Sequence, residues 1–522
     1  MSVTAIAQGH TALGIELGST RIKACLVDLD DPASVLATGS HQWANELVDG
    51  HWTYALGDAW AGVQAAFAEL SADAEIRHGV RPLRIARMGV SAMMHGYLAF
   101  DADGELLVPF RTWRDTHTTA AAAELSELFG TNIPLRWSIA HLRQAMLDGE
   151  EHVPRIQSLT TLAGYVHRSL TGRDVLGVGE ASGMFPIDPA TGDFDAAALA
   201  RFDDLAPGFA LRAKLPAVLP AGADAGALTP EGARLIDPDG QLQAGARLCP
   251  PEGDAGTGMV ATNAVAPRTG NISVGTSVFA MVVLDSPIPN TSAEIDVVCT
   301  PAGDPVAMVH CNNGASELGE WAGVFARFAE ASGHPTSADA VFRTLLDEAV
   351  RGDPDAGGIL AFNQLSGEPV LDLSRGHPMI IRHPAGELTL ANLMQAQLYG
   401  VFAAVALGLE ILTAQGVRLD RLSAHGGLFR TARVAQQQLA SMLDVPVSVG
   451  ALAAEGGAWG MAVLAAYDAH IADLRSFLEG GVFREGSSVT VAPEPERTAG
   501  FQRYLERYRS ALVVARVAED AL

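Results

Sequence analysis

Two segments of the chain repeat one pattern of apolar and polar positions. Residues 12–28 place apolar side chains with a period near two on both sides of a Gly-Ser-Thr turn, and residues 270–285 do the same around Gly-Thr-Ser. Alternation with a period of two predicts strands, and a small-residue turn between two such runs predicts a β-hairpin. We therefore expect one hairpin in each half of the chain.

Apolar positions at helical spacing follow both hairpins. Residues 58–77 show this spacing and precede a strand-like run at 84–93. In the second half, helices are predicted at 315–350, 389–416, 431–443 and 455–467, with a strand at 422–427. Alternating strands and helices predict an α/β layer architecture. No period of 20 to 50 residues repeats, so a solenoid or a propeller is not expected.

The rest of the first half has a less regular pattern. Asp103-Gly104 predicts a second hairpin within residues 94–109. Residues 118–170 are rich in alanine and are predicted to be helical, whereas residues 186–250 are rich in Pro, Gly and Asp, which is typical of loops and short elements.

A chain of 522 residues is longer than one hydrophobic core usually supports, so we expect two domains. We place the first at residues 1–260 and the second at 261–485. Residues 486–522 are predicted to form a helical tail with an apolar stripe, suited to docking on its own domain or on a second subunit.

Composition and charge narrow the classes of partner. With 48% hydrophobic and 18% charged residues, the chain is typical of a soluble globular protein. Its formal charge of −25 disfavours nucleic acid and anionic membrane surfaces. Small anions remain acceptable ligands, because backbone N–H groups at turns bind them whatever the total charge.

The cysteines and the first residues bear on the cellular compartment. Cys25, Cys249, Cys299 and Cys311 show no CxxC spacing and lie mostly in apolar runs, which predicts buried, reduced thiols. The first ten residues lack a basic stretch followed by an apolar one, and no window of ~18 uninterrupted apolar residues occurs. We expect a cytoplasmic protein.

The duplicated turns are candidates for phosphate binding. Gly18 and Gly275 allow close approach of an anion, and the neighbouring N–H groups and hydroxyls offer hydrogen bonds. For one such turn alone, a tight connection without a ligand is the simpler interpretation. Two copies in matched contexts favour a pair of turns that hold a polyphosphate.

Several motifs resemble those of the FGGY carbohydrate kinases, within the actin, hexokinase and heat-shock ATPase fold group. GIELGSTRIKA and ISVGTSVFA resemble the paired phosphate loops of that family, SAMMHGYLAFDADGELLVPFRTWRD its sugar-binding segment, and EGDAGTGM its catalytic-aspartate segment. LAFNQLSGEP, HGGLFRTARVAQQQLASMLDVPV and EGGAWGMAVLAA are similar to its later motifs, in the family's order. The resemblance implies a two-domain actin/hexokinase-like (ribonuclease H-like) ATPase fold, of the α/β class, with a mixed sheet flanked by helices in each domain.

The resemblance implies roles for two carboxylates. Asp254 matches the family's base, which accepts the proton of the attacking hydroxyl, as phosphoryl transfer from ATP requires. Glu16 stands where the family usually has Asp and would bind Mg²⁺ directly or through water. The extra methylene implies a different water pattern around the metal or another use for Glu16.

The resemblance also implies which residues meet the nucleotide. On the first loop these are Gly18, Ser19, Thr20 and Arg21, followed by Lys23 on the next strand. On the second loop and the adenine side they are Gly275, Thr276, Ser277, Gly314, Gly426 and Gly427.

For the sugar, Met94-His95-Gly96 matches the Met-His-Gly of the xylulokinase branch. The resemblance implies that Trp113 packs on the carbon face of the sugar and that Asp115 accepts its hydroxyl protons, with core packing as the alternative for Trp113. Three residues depart from the pattern and indicate a substrate variant: Met93 replaces Gln, Arg114 replaces Asn, and His117 replaces Arg.

The implied activity is phosphorylation of D-xylulose by ATP, with the two hairpins facing each other across a cleft that closes on the sugar and Asp254 at its floor. Ribulose, an erythritol-like polyol and a deoxyhexulose remain alternative acceptors. An ATP-binding sensor or chaperone-like ATPase on the same fold remains a further alternative. A homodimer is expected from the resemblance.

Overall fold

The computed structural model describes residues 2–288, 292, 294–431, 434–450, 456–484 and 488–522. The chain divides into two compact units. The first contains Met1–Ala266, Thr291–Val306 and Glu455–Glu485, and the second contains Pro267–Asn290, Ala307–Ala454 and Gly486–Leu522. Residues 455–485 therefore group with the first unit, although we predicted them in the second domain, and the predicted tail is part of the second unit.

A mixed sheet forms the centre of the first unit. Its strands are, in spatial order, Arg247–Leu248, Arg87–Ala92, Thr11–Leu17, Arg21–Asp28 and Val35–Gln42, and Glu252–Gly253 also pairs with Arg87–Ala92. Thr11–Leu17 runs antiparallel to Arg21–Asp28 and parallel to Arg87–Ala92. The first predicted hairpin is confirmed.

The helix Gly456–Ala466 packs on this sheet, which explains why its segment belongs to the first unit. A Cβ at Gly14, in the first strand, would lie 2.1 Å from the carbonyl oxygen of Ala458. Only glycine permits so close an approach of helix backbone to strand backbone. The small residues predicted in this helix therefore serve packing against the sheet.

The first unit contains many shorter elements. Small two-stranded sheets are formed by Glu46–Val48 with His51–Thr53, Leu98–Phe100 with Ser158–Thr160, Val175–Gly177 with Ala217–Leu219, and Ile187–Asp188 with Asp193–Phe194. Ile295–Cys299 is a further strand. Its other α-helices are Ser2–Gln8, Leu56–His78, Thr119–Phe129, Ser138–Leu147, Leu162–Thr171, Val178–Ala181, Ala196–Leu205, Pro230–Ile236, Asp254–Ala261 and Leu474–Phe477, and single turns of other helix types lie at Val153–Arg155, Leu211–Lys214 and Leu478–Val482.

The hairpin predicted within residues 94–109 is wrong in its regular form. Leu98–Phe100 pairs with Ser158–Thr160 instead. The returning chain meets it only through isolated bridges, from Phe100 to Leu106 and from Tyr97 to Arg111. These bridges differ in register by two residues, and Pro109 between them has no N–H to donate, so no continuous ladder forms.

The second unit is built around its own mixed sheet. The spatial order of its strands is Pro305–Cys311, Val278–Val283, Thr269–Val274, Arg421–Gly426, Val447–Gly450 and Ser488–Val491. Thr269–Val274 is antiparallel to Val278–Val283 and parallel to Arg421–Gly426. The second hairpin is confirmed, and both units place a parallel strand beside it. The predicted α/β class, with a mixed sheet and flanking helices in each unit, is confirmed.

The remaining elements of the second unit surround this sheet. Its α-helices are Ser316–Ala331, Ala338–Ala349, Leu390–Ala414, Val434–Leu443 and Pro495–Ala521, with short turns at Ala356–Gly358, Pro369–Leu371 and Gly427–Thr431 and a strand pair Ile359–Phe362 with Met379–Arg382. Leu390–Ala414 is long and apolar enough to cross a membrane, but 78% of its apolar window is buried within the protein, as in a core helix. All four cysteines are buried, as predicted.

Candidate active site

Three strands of the first unit end at one edge of its sheet. Thr11–Leu17 and Glu252–Gly253 both run parallel to Arg87–Ala92, so the residues at or just after their carboxyl ends lie close together. These residues include Glu16, Met94 and Asp254. The backbone N–H of Met94 donates a hydrogen bond to Asp254 Oδ1 at 3.1 Å. The predicted base and the predicted sugar segment are therefore adjacent.

Asp254 is the first residue of the helix Asp254–Ala261 and is half-buried. Burial, and after it the charge of Glu16, raise the pKa of its carboxyl to about 6, although hydrogen bonds from the backbone N–H groups of Met94 and Ala255 act to lower it. A carboxylate with a pKa near the working pH is suited to accept a proton from a hydroxyl.

Glu16 offers a buried carboxylate beside Asp254. Lys23 Nζ lies 3.3 Å from Glu16 Oε2, but no hydrogen bond satisfies that oxygen. Its other oxygen is so enclosed that a Cβ at Gly457 would lie 2.4 Å from it. Carboxylate oxygens are the ligands that Mg²⁺ prefers in proteins. The residues present therefore fit a magnesium ion at this position.

The first predicted phosphate loop is a tight turn held from behind by two aromatic residues. Gly18 N donates to the carbonyl of Arg21 at 3.0 Å and closes the turn. Trp43 Nε1 donates to the Gly18 carbonyl at 2.6 Å, and the Tyr54 hydroxyl donates to the Ser19 carbonyl at 2.7 Å. The loop's carbonyls are thereby occupied, while Thr20 and Arg21 remain exposed.

Trp43 and Tyr54 were missed in the sequence. Their rings stack with centroids 4.3 Å apart. Both are aromatic residues in otherwise polar or weakly periodic segments, and aromatic residues there are more often core residues. Their role in holding the first loop becomes visible only when the fold places the hairpin turn next to them.

The sugar segment holds Met94 and His95 in the interior. Both are buried, at 6% and 5% exposure. His95 adopts a φ of 74°, and its Nδ1 lies 3.0 Å from the Gly183 carbonyl. A non-glycine residue in the left-handed region is uncommon and indicates a backbone fixed by its surroundings. Trp113 is half-buried, so part of its ring is accessible.

Asp115 is enclosed by two histidines. Its side chain has no exposed surface; His51 Nδ1 hydrogen-bonds to its Oδ2, and the ring Nδ1 and backbone N of His117 lie 2.8 and 3.1 Å from its Oδ1. Burial acts to raise the pKa of Asp115, but these hydrogen bonds outweigh burial and hold the pKa below its usual value. Asp115 is therefore an ionised carboxylate with both oxygens engaged.

A buried pair of glutamates next to Asp254 was also missed. Glu180 N donates to Glu252 Oε2 at 2.9 Å, and both side chains are fully buried. Burial raises the pKa of Glu252 to about 8 and that of Glu180 well above its usual range, and the charge of Asp254 adds to the latter effect. Because the two residues are 72 positions apart, no local pattern identifies the pair.

In the second unit, the second predicted phosphate loop contacts the predicted adenine-side glycine. Gly275 N donates to the Ser277 carbonyl at 2.9 Å and closes the turn. Gly314 N donates to the Thr276 carbonyl at 2.6 Å, and Ala315 N donates to the Gly275 carbonyl at 2.9 Å. Gly275 and Thr276 are exposed. The loop is thus fixed by its carbonyls, as in the first unit.

Gly426 ends the strand that is parallel to this loop's first strand. Its φ is 110°, and a Cβ there would lie 2.2 Å from the Val274 carbonyl oxygen. Val274 and Gly426 are register partners, and Gly427 follows at an exposed position. The structure therefore brings Gly275–Ser277 and Gly426–Gly427 together at the ends of two parallel strands.

A polar network behind Gly314 was not predicted. Asn313 Nδ2 donates to Glu368 Oε2 at 3.0 Å, and Asn363 Nδ2 donates to the Gly314 carbonyl at 2.9 Å. Leu365 N donates to Asn313 Oδ1 at 2.8 Å. Glu368 lies in the LAFNQLSGEP motif, and these bonds show what that motif does locally: it anchors the loop that supports Gly275–Ser277.

Solved structures similar to this chain include several sugar kinases. A xylulose kinase from Rhodospirillum rubrum is 21% identical with a TM-score of 0.79, covering 98% of this chain and 100% of that one. A gluconate kinase from Lactobacillus acidophilus is 17% identical with a TM-score of 0.79, covering 97% and 99%. A glycerol kinase from Plasmodium falciparum, solved with ADP, is 14% identical with a TM-score of 0.73, covering 95% and 98%. These similarities establish the actin/hexokinase-like fold.

Curated protein sequences provide no match to the chain. Family comparison does: residues 11–237 match the N-terminal domain of the FGGY family of carbohydrate kinases, and residues 270–469 match its C-terminal domain. Enzymes of this family transfer phosphate from ATP to an alcohol group of a sugar. The chain belongs to the FGGY family of carbohydrate kinases.

Proposed function

We propose that this kinase phosphorylates a ketopentose-like sugar, with D-xylulose as the first choice and D-xylulose 5-phosphate as the product. The Met94-His95-Gly96 motif supports this acceptor, because it resembles the xylulokinase branch. Xylulose kinases among the similar folds are consistent with it, although gluconate and glycerol kinases share the fold.

The observation that carries the proposal is the environment of Asp254. Its carboxylate is fixed by the Met94 N–H and has its pKa raised to about 6. In the proposed step, Asp254 accepts the proton of the acceptor hydroxyl as that oxygen bonds to the γ-phosphorus of ATP. The bond from the γ-phosphorus to the bridging oxygen breaks, and ADP leaves with that electron pair.

Glu16 is the residue proposed to hold Mg²⁺, directly or through water. When bound, the ion would neutralise charge on the β- and γ-phosphates. The chain itself contributes cations nearby: Lys23 lies beside Glu16, and Arg21 is exposed at the end of the first loop. We propose that these two side chains and the hydroxyls of Ser19 and Thr20 orient the phosphates.

A variant acceptor is the second candidate. Arg114, which replaces the family's Asn, lies with its guanidinium 4.4 Å from the centre of the Trp52 ring and 6.0 Å from that of Trp113. It thus adds a cation beside the predicted sugar-stacking residue. Ribulose, an erythritol-like polyol or a deoxyhexulose are the alternatives.

The test is a coupled assay of ADP release with a panel of acceptors. The panel contains D-xylulose, ribulose, erythritol, fuculose, rhamnulose, gluconate and glycerol, each with ATP and Mg²⁺. D-Xylulose is expected to give the highest kcat/KM. If another acceptor is preferred, the D-xylulose assignment is wrong; if none raises ADP release above the blank, the kinase proposal fails.

Asp254→Asn tests the role of the base. We expect kcat to fall roughly 10²- to 10⁴-fold, the usual contribution of a general base, with little change in ATP affinity. Asp30→Asn is the control, because Asp30 is an aspartate of the same unit with a side chain that is 87% exposed. Equal activities of the two variants would exclude Asp254 as the base.

A further inference from the structure

The histidines around Asp115, rather than its carboxylate, are exposed to solvent. The Asp115 side chain is completely enclosed, whereas 31% of the His51 side chain and 62% of the His117 side chain are exposed. The two rings meet edge to face, with centroids 5.2 Å apart. An approaching ligand therefore meets imidazole edges before it meets the carboxylate.

A short hairpin that carries His51 contacts the sugar segment and holds His51 in place beside it. The hairpin consists of Glu46–Val48 and His51–Thr53. Thr112 N donates to the Trp52 carbonyl at 3.1 Å, and the Arg114 guanidinium stacks on the Trp52 ring. His51 is thus fixed relative to Trp113, the predicted stacking platform for the sugar.

The contacts with Asp115 determine which ring nitrogen carries the proton. Each imidazole directs Nδ1 at the ionised carboxylate, so each Nδ1 is the protonated nitrogen. In a neutral ring with that tautomer, Nε2 carries a lone pair and accepts a hydrogen bond. Within the described residues, no hydrogen bond engages Nε2 of either ring. With both rings neutral, the pair therefore offers two acceptors for hydroxyl protons.

Among the described residues, the other charged groups near His51 and His117 have partners other than the two Nε2 atoms. Arg111 pairs with Glu150, and His152 Nδ1 lies 3.3 Å from the same carboxylate. Burial lowers the pKa of His141 to about 3, so that ring is neutral.

We propose that Nε2 of His51 and Nε2 of His117 accept hydrogen bonds from two hydroxyls of the acceptor sugar, and that Asp115 is the positioning residue that fixes both rings. This assignment rests on the proposed sugar-kinase function and deepens it. It makes the hairpin Glu46–Thr53 part of the acceptor site, and it favours acceptors with several free hydroxyls over short or deoxygenated ones.

Asparagine substitutions separate the role of the ring atom Nδ1 from that of Nε2. In His51→Asn and His117→Asn the amide nitrogen takes the place of Nδ1, so the hydrogen bond to Asp115 is kept while the group at Nε2 is lost. We expect each variant to raise the KM for the preferred acceptor roughly three- to tenfold, the effect of one lost hydrogen bond, with KM for ATP and kcat within twofold of wild type. His51→Gln, whose amide reaches the position of Nε2, is expected to restore part of the lost affinity.

His10→Asn is the matched control, because His10 forms an exposed hydrogen bond with Asp30 in the same unit. It is expected to leave every constant unchanged. Thermal unfolding of all variants, with and without acceptor, supplies a second measurement that needs no turnover: each Asn variant should melt like wild type alone and show a smaller shift with acceptor.

The outcomes distinguish this inference from the proposed function. If wild type turns over an acceptor and both Asn variants keep its KM within twofold, the imidazoles do not contact it and the inference is wrong. If wild type turns over no acceptor, the kinase proposal fails, and the inference then stands only if acceptors stabilise wild type and not the variants. Because the ligand atoms of His51, Asp115 and His117 lie within 4.8 Å of one another, stoichiometric zinc retained by wild type would also overturn it.

Discussion

Replacing Glu252 with glutamine tests the buried glutamate pair beside Asp254. Glutamine has the shape of a protonated glutamic acid and accepts the same hydrogen bond from Glu180 N, but it cannot ionise. Because the pKa of Glu252 is about 8 in the folded protein against an ordinary 4.5, the fold holds a proton that the unfolded chain releases. The contribution of this group to stability is therefore full below about pH 4.5 and is lost progressively as the pH rises to about 8.

The magnitude follows from that difference in pKa. Each unit corresponds to about 1.4 kcal/mol, so the full loss is on the order of 5 kcal/mol at pH 8 and above. Glu252→Gln removes this loss. We expect the variant to match wild type within about 1 kcal/mol at pH 5 and to be more stable by several kcal/mol at pH 9.

Calorimetric melting at pH 5, 6.5, 8 and 9 measures the effect, and a gain of this size corresponds to a rise in Tm on the order of 10 °C for a large unit. Glu231→Gln, an exposed glutamate with a side chain that is 75% exposed, is the control for removing one negative charge. If the difference in Tm between wild type and Glu252→Gln stays the same from pH 5 to pH 9, the reasoning is refuted.

Three further results are expected. Because the pKa of Asp254 is about 6 and its ionised form is the proposed base, kcat/KM should rise with pH through about 6 and then level off; a rate profile flat from pH 5 to 7.5 would contradict this. Gly426→Ala should destabilise the second unit by several kcal/mol and weaken ATP binding, whereas Gly416→Ala, also at positive φ but in open space, should cost only about 1 kcal/mol in urea unfolding. Trp43→Phe removes the hydrogen bond to the Gly18 carbonyl and should raise KM for ATP about threefold with unchanged KM for the sugar, and equal changes in both would contradict its role.

The regular parts of the fold were predictable from local patterns. Period-two alternation around the Gly-Ser-Thr and Gly-Thr-Ser turns located both hairpins. It did not reveal that Thr11–Leu17 is buried at every position. Helical spacing located Leu56–His78 and Leu390–Ala414 within a few residues. The irregular return of the chain after Gly104 was not predictable, because a turn motif does not determine the register of the strands around it.

The candidate site was predictable only where a motif carries it. Asp254, Glu16 and the glycine turns lie in continuous motifs, and the structure brings them to strand ends as expected for parallel sheets. The groups that support them come from distant segments: Glu180 meets Glu252, and His51 meets Asp115 across 64 positions. Such pairs depend on how layers pack, which one sequence does not reveal.

The alternation of the two units along the chain has a consequence for synthesis. The polypeptide passes from one unit to the other after residues 266, 290, 306, 454 and 485. A nascent chain of about 300 residues thus already carries the whole Thr11–Leu17 sheet but lacks the helix Gly456–Ala466 that covers Gly14. The first unit cannot complete its packing until translation has passed residue 466, so ribosome-bound fragments that stop earlier should be sensitive to protease at this sheet. No continuous segment of the chain contains the whole of either unit alone.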